Sequence, residues 1–174
     1  MANIITLFFS IILSFGSNTE QQIPKPSNDS VTTFYLIRHA EKDRTNSENH
    51  DPALTENGLM RAINWAKVLK EVEFDAIYST NYKRTIQTAK PLADLNKLEI
   101  LQYDPAKLYD SNFQKTTSGR TVLVVGHSNT TPQFVNKILN KKQYENIDDS
   151  ENGALFIVQV LEDGTVLSQM IYIN

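Results

Sequence analysis

Segments with the pattern of β-strands alternate with helical segments along most of this chain, and the alternation strongly limits the possible folds. The clearest strand pattern is Thr121 to Val125, an unbroken run of β-branched residues and one leucine. Thr32 to Arg38 is almost as continuously apolar, which is typical of a strand covered on both faces. Glu162-Asp163-Gly164 predicts a hairpin turn. This order predicts an α/β three-layer sandwich, with a mostly parallel central sheet, helices on both faces and an antiparallel C-terminal hairpin.

Periodicity and end signals predict the remaining elements. Thr55 is placed as the N-cap of the first helix. The predicted buried stripe of that helix consists of Leu59, Ala62, Ile63, Trp65, Ala66 and Leu69. We expect Pro91 to kink or restart the second helix, and Thr131-Pro132 to start the last one. The other predicted elements are strands at 74–80, 98–103, 154–160 and 166–173, and helices at 83–95 and 106–117.

The composition is that of one globular domain, and it excludes several classes of function. The 174 residues are 40% hydrophobic and 21% charged, which suffices for a single core. A net charge of -3 argues against a nucleic-acid partner, because neutralising a phosphate backbone requires a basic face. The absence of Cys excludes disulfides, thiolate metal sites and a cysteine nucleophile. Histidine chemistry is limited to His39, His50 and His127.

The first residues have the pattern of a targeting segment. Ile4 to Phe15 is apolar and too short to span a bilayer, and Ser14-Phe15-Gly16 has the spacing of a cleavage site. We therefore expect a signal peptide at residues 1–17, a polar linker at 18–31 and one domain at 32–174. Export to the periplasm or the extracellular space follows, with no membrane contact after cleavage. No Lys or Arg precedes the apolar run, so an uncleaved anchor and a misread leader on a cytoplasmic protein are the alternatives.

Three polar segments directly follow predicted strands. Arg38-His39 ends the first strand, residues 79–84 follow the second, and Gly126-His127-Ser128 ends the strongest one. Ligands of open α/β sheets bind outside the carboxyl ends of the strands, so we expect these segments to form one site. Two His and two Arg suit phosphoryl transfer to a neutral imidazole, since guanidinium groups bind the phosphoryl oxygens while a ring nitrogen attacks phosphorus.

Other interpretations of these residues stay open at this point. Taken alone, Arg38 fits a structural arginine at a strand end, and His127 fits a capping histidine. A metal site of His39, His50 and His127 is an alternative, although no acidic residue stands at a ligand spacing. The charged run 42–44 fits a solvated loop, and attraction of an anionic substrate by Lys42 or Arg44 is the alternative. We predict no metal and no cofactor.

Four segments resemble, in order and spacing, the histidine phosphatase superfamily and in particular its phosphoglycerate mutase-like branch. They are Arg38-His39-Ala40-Glu41, residues 51–58, residues 79–89, and Val125-Gly126-His127-Ser128, within Phe34 to Leu139. The resemblance implies that His39 takes the phosphoryl group and that Arg38 and Arg84 bind its oxygens. It also implies that His127 contacts the phosphoryl group, with Ser128 in the same substrate site.

This chain departs from the family pattern at two positions, and one role is open. The family commonly has Gly where this chain has Ala40, and often Asn where it has Thr45, which stays a candidate substrate contact. An alkyl leaving group needs a proton, yet no carboxylate stands where many relatives have a Glu. Asp104 is the first candidate for the general acid, followed by Asp110 and Glu41.

The leading functional prediction is a metal-independent phosphomonoester hydrolase of the histidine acid phosphatase type, acting on a small phosphorylated substrate. A sugar-phosphate mutase, a phosphohistidine-protein phosphatase and a non-catalytic phospho-ligand-binding module are the alternatives. Mutases of this branch are longer, whereas only residues 104–120 separate the third strand from the next. That short connection favours water as the phosphoryl acceptor. The physiological substrate and the oligomeric state are not determined by the sequence.

Overall fold

The computed structural model describes residues 31–173, so the predicted signal peptide and nearly all of the predicted linker lie outside the described residues and stay predictions. No helix between residues 31 and 173 is long and apolar enough to span a membrane. The helices and strands of this part are β1 Thr32–Arg38, α1 Glu56–Val68, β2 Ala76–Ser79, α2 Lys83–Asn96, β3 Ile100–Gln102, α3 Ser111–Thr117, β4 Thr121–Gly126, α4 Thr130–Leu139, β5 Ala154–Val160 and β6 Val166–Tyr172.

The strands form one mixed sheet in the order β3-β2-β4-β1-β5-β6. β1, β2, β3 and β4 run parallel, whereas β5 is antiparallel to β1 and β6 is antiparallel to β5. The predicted α/β fold with a C-terminal antiparallel hairpin is therefore confirmed. The register pairs Arg38 with Gly126 and Ser79 with Val125. The carboxyl ends of β1, β4 and β2 consequently lie side by side.

Helices cover both faces of the sheet, and each face has its own apolar core. One core joins Phe113 of α3 and Phe134 of α4 to the sheet, and the other joins Trp65 of α1 and residues of α2 to it. Successive residues of β1 contribute to opposite cores, since Leu36 lies in the first and Ile37 in the second, each at most 1% exposed. Burial of each such side chain contributes about 1.5–3 kcal/mol. This two-sided burial explains the continuous apolar run in β1.

The orientation of α1 differs from the predicted one. Thr55 is its N-cap as expected, and Thr55 Oγ1 accepts a hydrogen bond from the Gly58 amide at 3.1 Å. The assignment of Leu59 and Ile63 to the buried stripe is wrong, because they are 44% and 41% exposed. Gly58 instead packs against the backbone of Glu41, because a Cβ on Gly58 would lie 2.2 Å from the Glu41 carbonyl oxygen. That close approach turns Leu59 and Ile63 towards solvent.

The limits of three other helices also differ from the prediction. α2 continues through Pro91 to Asn96, so the expected restart at the proline is wrong. α3 begins at Ser111 rather than at residue 106, since Asp110 caps it by accepting a hydrogen bond from the Phe113 amide at 2.8 Å. α4 begins at Thr130, one residue earlier than expected.

Candidate functional site

The ends of β1 and β4 and the start of α2 bring the four main candidate residues to one edge of the sheet. Arg38 ends β1, His39 follows it, His127 follows β4, and Arg84 lies in the first turn of α2. The rings of His39 and His127 meet edge to face, with centroids 5.5 Å apart. Arg38 and His39 are only 1% and 4% exposed. The expectation that the strand ends form one cluster is met by this geometry.

Hydrogen bonds fix both the backbone and the ring of His39. Its amide donates to the Gly126 carbonyl, and its own carbonyl accepts from the Asn152 side chain, both at 2.9 Å. The ring nitrogen Nδ1 lies 2.7 Å from the carbonyl oxygen of Ala40. A carbonyl only accepts hydrogen bonds, so Nδ1 carries the proton of the neutral ring. Nε2 is left with its lone pair, which is the state a nucleophilic histidine requires.

The surroundings of His39 keep it neutral. Burial lowers the pKa of His39 to about 3, although the hydrogen bond to the Ala40 carbonyl acts in the opposite direction. The charges of Arg38, His127 and Arg84 lower this pKa further. The ring is therefore unprotonated at Nε2 throughout the physiological range of pH.

His127 is held by a hydroxyl group and by an aromatic ring. Its Nε2 lies 3.0 Å from Thr80 Oγ1, and its ring meets the ring of Tyr82 at 90°, with centroids 5.1 Å apart. Burial lowers the pKa of His127 to about 4, and the charges of Arg84, Arg38 and Lys42 lower it further. These cations favour an anion beside His127.

The guanidinium of Arg38 is anchored by the loop before β5. Nη1 donates to the carbonyl oxygens of Asp148 at 2.8 Å and Glu151 at 2.9 Å, and Nη2 donates to the carboxylate of Asp149. Nε is buried and has no hydrogen-bond partner among residues 31–173. Buried donors are rarely left unpaired in folded proteins, so Arg38 retains a donor for a ligand.

Arg84, like Arg38, combines supporting contacts with an unpaired buried donor. Its guanidinium carbon lies 4.4 Å from the centre of the Tyr82 ring, a cation–π contact. Nη1 lies 3.5 Å from the His50 carbonyl and 3.8 Å from the Asp51 carboxylate. Its Nε is also buried without a partner in the described part of the chain. An anion between Arg38 and Arg84 would satisfy both unpaired donors.

None of the candidate general acids contacts this cluster. Asp104 and Asp110 line a separate cavity of about 240 Å³, which contains neither His39 nor His127. Asp104 accepts a hydrogen bond from the Ala106 amide at 2.9 Å, and Asp110 caps α3. Glu41 is paired with Arg61 of α1 at 2.7 Å. The role of Asp104 stays a prediction, and nothing in its contacts supports it.

The remaining predicted residues lie at the margin of the cluster. Ser128 is half-buried beside His127, and its carbonyl accepts from the Ile147 amide at 2.8 Å. Thr45 is exposed, and its amide donates to Asp43 at 2.8 Å. Among residues 31–173, no group of three or more His, Asp or Glu is placed to hold a metal ion. A cavity of about 590 Å³ at the C-terminal end of α4 contains none of the predicted site residues.

Sequence patterns alone did not indicate several residues that support the site. Asp149 bridges Arg38 and Arg44, and the buried Asn152 side chain holds the His39 backbone. Thr88 Oγ1 accepts a hydrogen bond from the Ala40 amide at 2.9 Å, so α2 is tied to the residue after His39. Thr88 is 1% exposed, and its place within residues 79–89, which resemble the family, was the available sequence signal. The loop that carries Asp149 and Asn152 offered no comparable motif.

Comparisons with known proteins agree with the geometry. The model of the histidine phosphatase superfamily (branch 1) matches residues 34–106. Phosphoserine phosphatase 1 of Hydrogenobacter thermophilus is 36% identical over 78 residues, which are 42% of this chain and 37% of the relative. The matched segment therefore spans little more than a third of that relative's length.

Solved structures extend the likeness to most of the described fold. The protein histidine phosphatase SixA in complex with tungstate has a TM-score of 0.63 at 17% identity, covering 80% of this chain and 96% of the other. Phosphoglycerate mutase from Bacillus anthracis also has a TM-score of 0.63 at 17% identity, covering 83% and 94%. Identities this low establish the shared fold alone, while the family model matches the segment that contains His39 and Arg84. The chain shares the fold of these structures, and its residues 34–106 are similar to the histidine phosphatase superfamily (branch 1).

Proposed function

We propose that this protein is a phosphomonoester hydrolase that works through a phosphohistidine on His39 and needs no metal. The observation that carries the proposal is the 2.7 Å contact between His39 Nδ1 and the Ala40 carbonyl. It holds the proton on Nδ1 and leaves Nε2 free to attack phosphorus. The match of residues 34–106 to the histidine phosphatase family model supports phosphatase or mutase chemistry at this site.

The neighbouring residues suit the two steps of such a reaction. Arg38 and Arg84 bind the phosphoryl oxygens with their guanidinium groups, whose buried Nε donors are unpaired in the described part of the chain, and His127 contacts the same phosphoryl group. Nε2 of His39 forms the N–P bond as the bond from phosphorus to the leaving oxygen breaks, and the leaving group takes a proton from solvent water. A second water then attacks phosphorus, the N–P bond breaks, the proton of that water returns to the solvent, and phosphate is released with His39 neutral again. The arginines stabilise the charge on the equatorial oxygens in both steps.

The placement of the carboxylates bears on the choice of substrate. Asp104, Asp110 and Glu41 are engaged elsewhere, so none of these three candidates has a contact that would hold it against the leaving group. Leaving groups that need little proton donation are therefore favoured, such as those of aryl phosphates and phosphoramidates. This observation supports a phosphohistidine-protein phosphatase as a second candidate.

Names of relatives suggest where to look for a physiological substrate. They include phosphoserine phosphatases and a phosphoglycerate mutase. Small phosphorylated amino and hydroxy acids therefore belong in a first substrate panel, together with a phosphohistidine peptide. Turnover to free phosphate distinguishes hydrolysis from the phosphoryl exchange of a mutase, and phosphate binding without turnover would indicate a non-catalytic module.

The experiment that tests the proposal is hydrolysis of an aryl phosphate by the full chain. We expect vanadate-sensitive release of phosphate that EDTA does not reduce, and its loss in His39→Ala. His50→Ala is the matched control, because His50 is exposed and only its backbone contacts Arg84. Full activity in His39→Ala, or loss of activity with EDTA, would show that the proposed mechanism is wrong.

The general acid has its own test. If Asp104 donates a proton, Asp104→Asn slows alkyl phosphates far more than aryl phosphates. Its contacts lead us to expect no such difference, and Asp163→Asn, in the exposed β5–β6 turn, is the matched control. A selective loss with alkyl phosphates in Asp104→Asn alone would restore Asp104 as the acid.

A further inference from the structure

Two buried hydroxyl groups lie in series behind His127. His127 Nε2 is 3.0 Å from Thr80 Oγ1, and Thr80 Oγ1 is 3.0 Å from Thr85 Oγ1. Thr85 Oγ1 in turn lies 2.9 Å from the carbonyl oxygens of both Thr80 and Tyr82. Both threonines are fully buried. The contacts therefore form a chain that runs from the imidazole ring to two backbone carbonyls.

The direction of the protons in this chain follows from its end. A carbonyl oxygen only accepts, so the one hydroxyl proton of Thr85 must point to the Thr80 or Tyr82 carbonyl. Thr85 Oγ1 then acts as an acceptor towards Thr80. The Thr80 proton fills that contact, and Thr80 Oγ1 in turn accepts from His127. The reverse direction would leave Thr85 Oγ1 against two carbonyl oxygens at 2.9 Å with no proton between them.

We propose that Thr85 is a positioning residue that, through Thr80, fixes the proton of neutral His127 on Nε2 and leaves Nδ1 for the phosphoryl group. His127 Nδ1 has no hydrogen-bond partner among residues 31–173, in contrast to Nε2. The inference rests on the proposed function only where it names the phosphoryl group. The assignment of the tautomer rests on the hydroxyl contacts alone.

The arrangement suits a group that gains and loses a proton beside a phosphate. In the neutral ring, Nδ1 accepts a hydrogen bond from the O–H of a phosphate monoanion. When that proton moves to Nδ1, the imidazolium donates to the phosphoryl oxygen, and Nε2–H still has Thr80 as acceptor. The hydroxyl chain therefore stabilises both states of His127, and no proton has to rearrange behind the ring.

The direct test is the tautomer of His127, measured by nitrogen NMR on the full chain labelled at histidine. The signal is assigned by its absence in His127→Gln. We expect Nε2–H in the wild type and a shift to Nδ1–H in Thr85→Val, because the Thr80 hydroxyl loses its acceptor and turns to Nε2. Thr85→Ser keeps the hydroxyl and restores Nε2–H. A wild-type proton on Nδ1, or the same tautomer in Thr85→Val, overturns the proposal.

Kinetics supply an independent measurement. Loss of one hydrogen bond to a charged group predicts that kcat/KM for an aryl phosphate falls about tenfold in Thr85→Val and recovers in Thr85→Ser. An unchanged kcat/KM in Thr85→Val would remove the positioning role. If Thr85→Val does not fold, the wild-type tautomer alone decides. If the wild type hydrolyses no phosphate ester, the proposed function fails, while the NMR result still decides the tautomer.

Discussion

Replacement of Asp149 is expected to change stability and anion binding in opposite directions. The Asp149 carboxylate accepts from Arg38 Nη2 and is also paired with Arg44. The side-chain hydrogen bond from Arg44, together with the charges of Arg38 and Arg44, lowers the pKa of Asp149. The carboxylate is therefore ionised at neutral pH and acts as the anion that Arg38 holds when no substrate is bound.

The size of both effects follows from the contacts of Arg38. In Asp149→Ala the buried guanidinium keeps its two carbonyl acceptors and loses the partner of Nη2. Hydrogen bonds to charged groups contribute about 1.5–3 kcal/mol. Asp149 is 62% exposed, so screening reduces the expected loss of unfolding free energy to about 1 kcal/mol. The Asp149 carboxylate competes with an incoming anion for Arg38, so Asp149→Ala should raise the affinity for vanadate about fivefold.

Urea unfolding and vanadate inhibition measure the two quantities. Asp94→Ala is the matched control, since it breaks the exposed Lys90–Asp94 pair on α2 without touching Arg38. We expect that control to change stability by less than about 0.5 kcal/mol and vanadate affinity not at all. Unchanged or weaker vanadate binding in Asp149→Ala would refute the idea that the Asp149 carboxylate competes with the substrate for the guanidinium of Arg38.

Three further predictions follow from buried groups and caps. Gly58→Ala should lower the unfolding free energy by about 2 kcal/mol, because the added Cβ overlaps the Glu41 carbonyl and the cost of this overlap exceeds the gain in helix propensity. Urea unfolding measures this loss, and the variant Asn57→Ala at the exposed neighbouring position should show little change. The pKa of His39 is about 3 in the folded state and about 6.5 in the unfolded chain. Because only the unfolded chain takes up this proton between these two values, the free energy of unfolding decreases as the pH is lowered below about 6.5, by about 2 kcal/mol at pH 5. Urea unfolding at pH 7 and pH 5 measures how strongly the free energy of unfolding depends on pH, and His39→Gln should reduce this dependence. An equal pH dependence in the wild type and in His39→Gln would contradict the prediction. Asp110→Ala should lower the free energy of unfolding by about 1 kcal/mol, because α3 loses its N-cap. The ratio of alkyl to aryl phosphate turnover should stay unchanged, and a changed ratio would give Asp110 a catalytic role.

The fold and the central cluster could be predicted because they depend on long-range periodicity. Alternating strand and helix patterns require a mostly parallel sheet, and parallel strands place their carboxyl ends at one edge. Arg38 ends β1, and His39 and His127 directly follow β1 and β4. Arg84 lies in the first turn of α2, shortly after the end of β2. Their meeting is therefore a consequence of topology.

Contacts that depend on close packing could not be predicted in the same way. Leu59 and Ile63 fit an apolar stripe, but one backbone contact at Gly58 sets which face of α1 is buried. Asp149 lies more than a hundred residues after Arg38 in a loop without a motif, and only the folded chain brings them together. The Thr80–Thr85 contact depends on side-chain angles within α2 and its preceding loop. Spacing along the sequence carries no information about those angles.

Phosphorylation of His39 during turnover is tested by trapping the covalent intermediate. The full chain is mixed with a radiolabelled aryl phosphate, quenched within one turnover and digested, and the labelled peptide is sequenced by mass spectrometry. We expect one acid-labile, alkali-stable phosphoryl group on the peptide with Arg38-His39-Ala40, and its absence in His39→Ala. Turnover without a labelled intermediate, or a label on another residue, would contradict it.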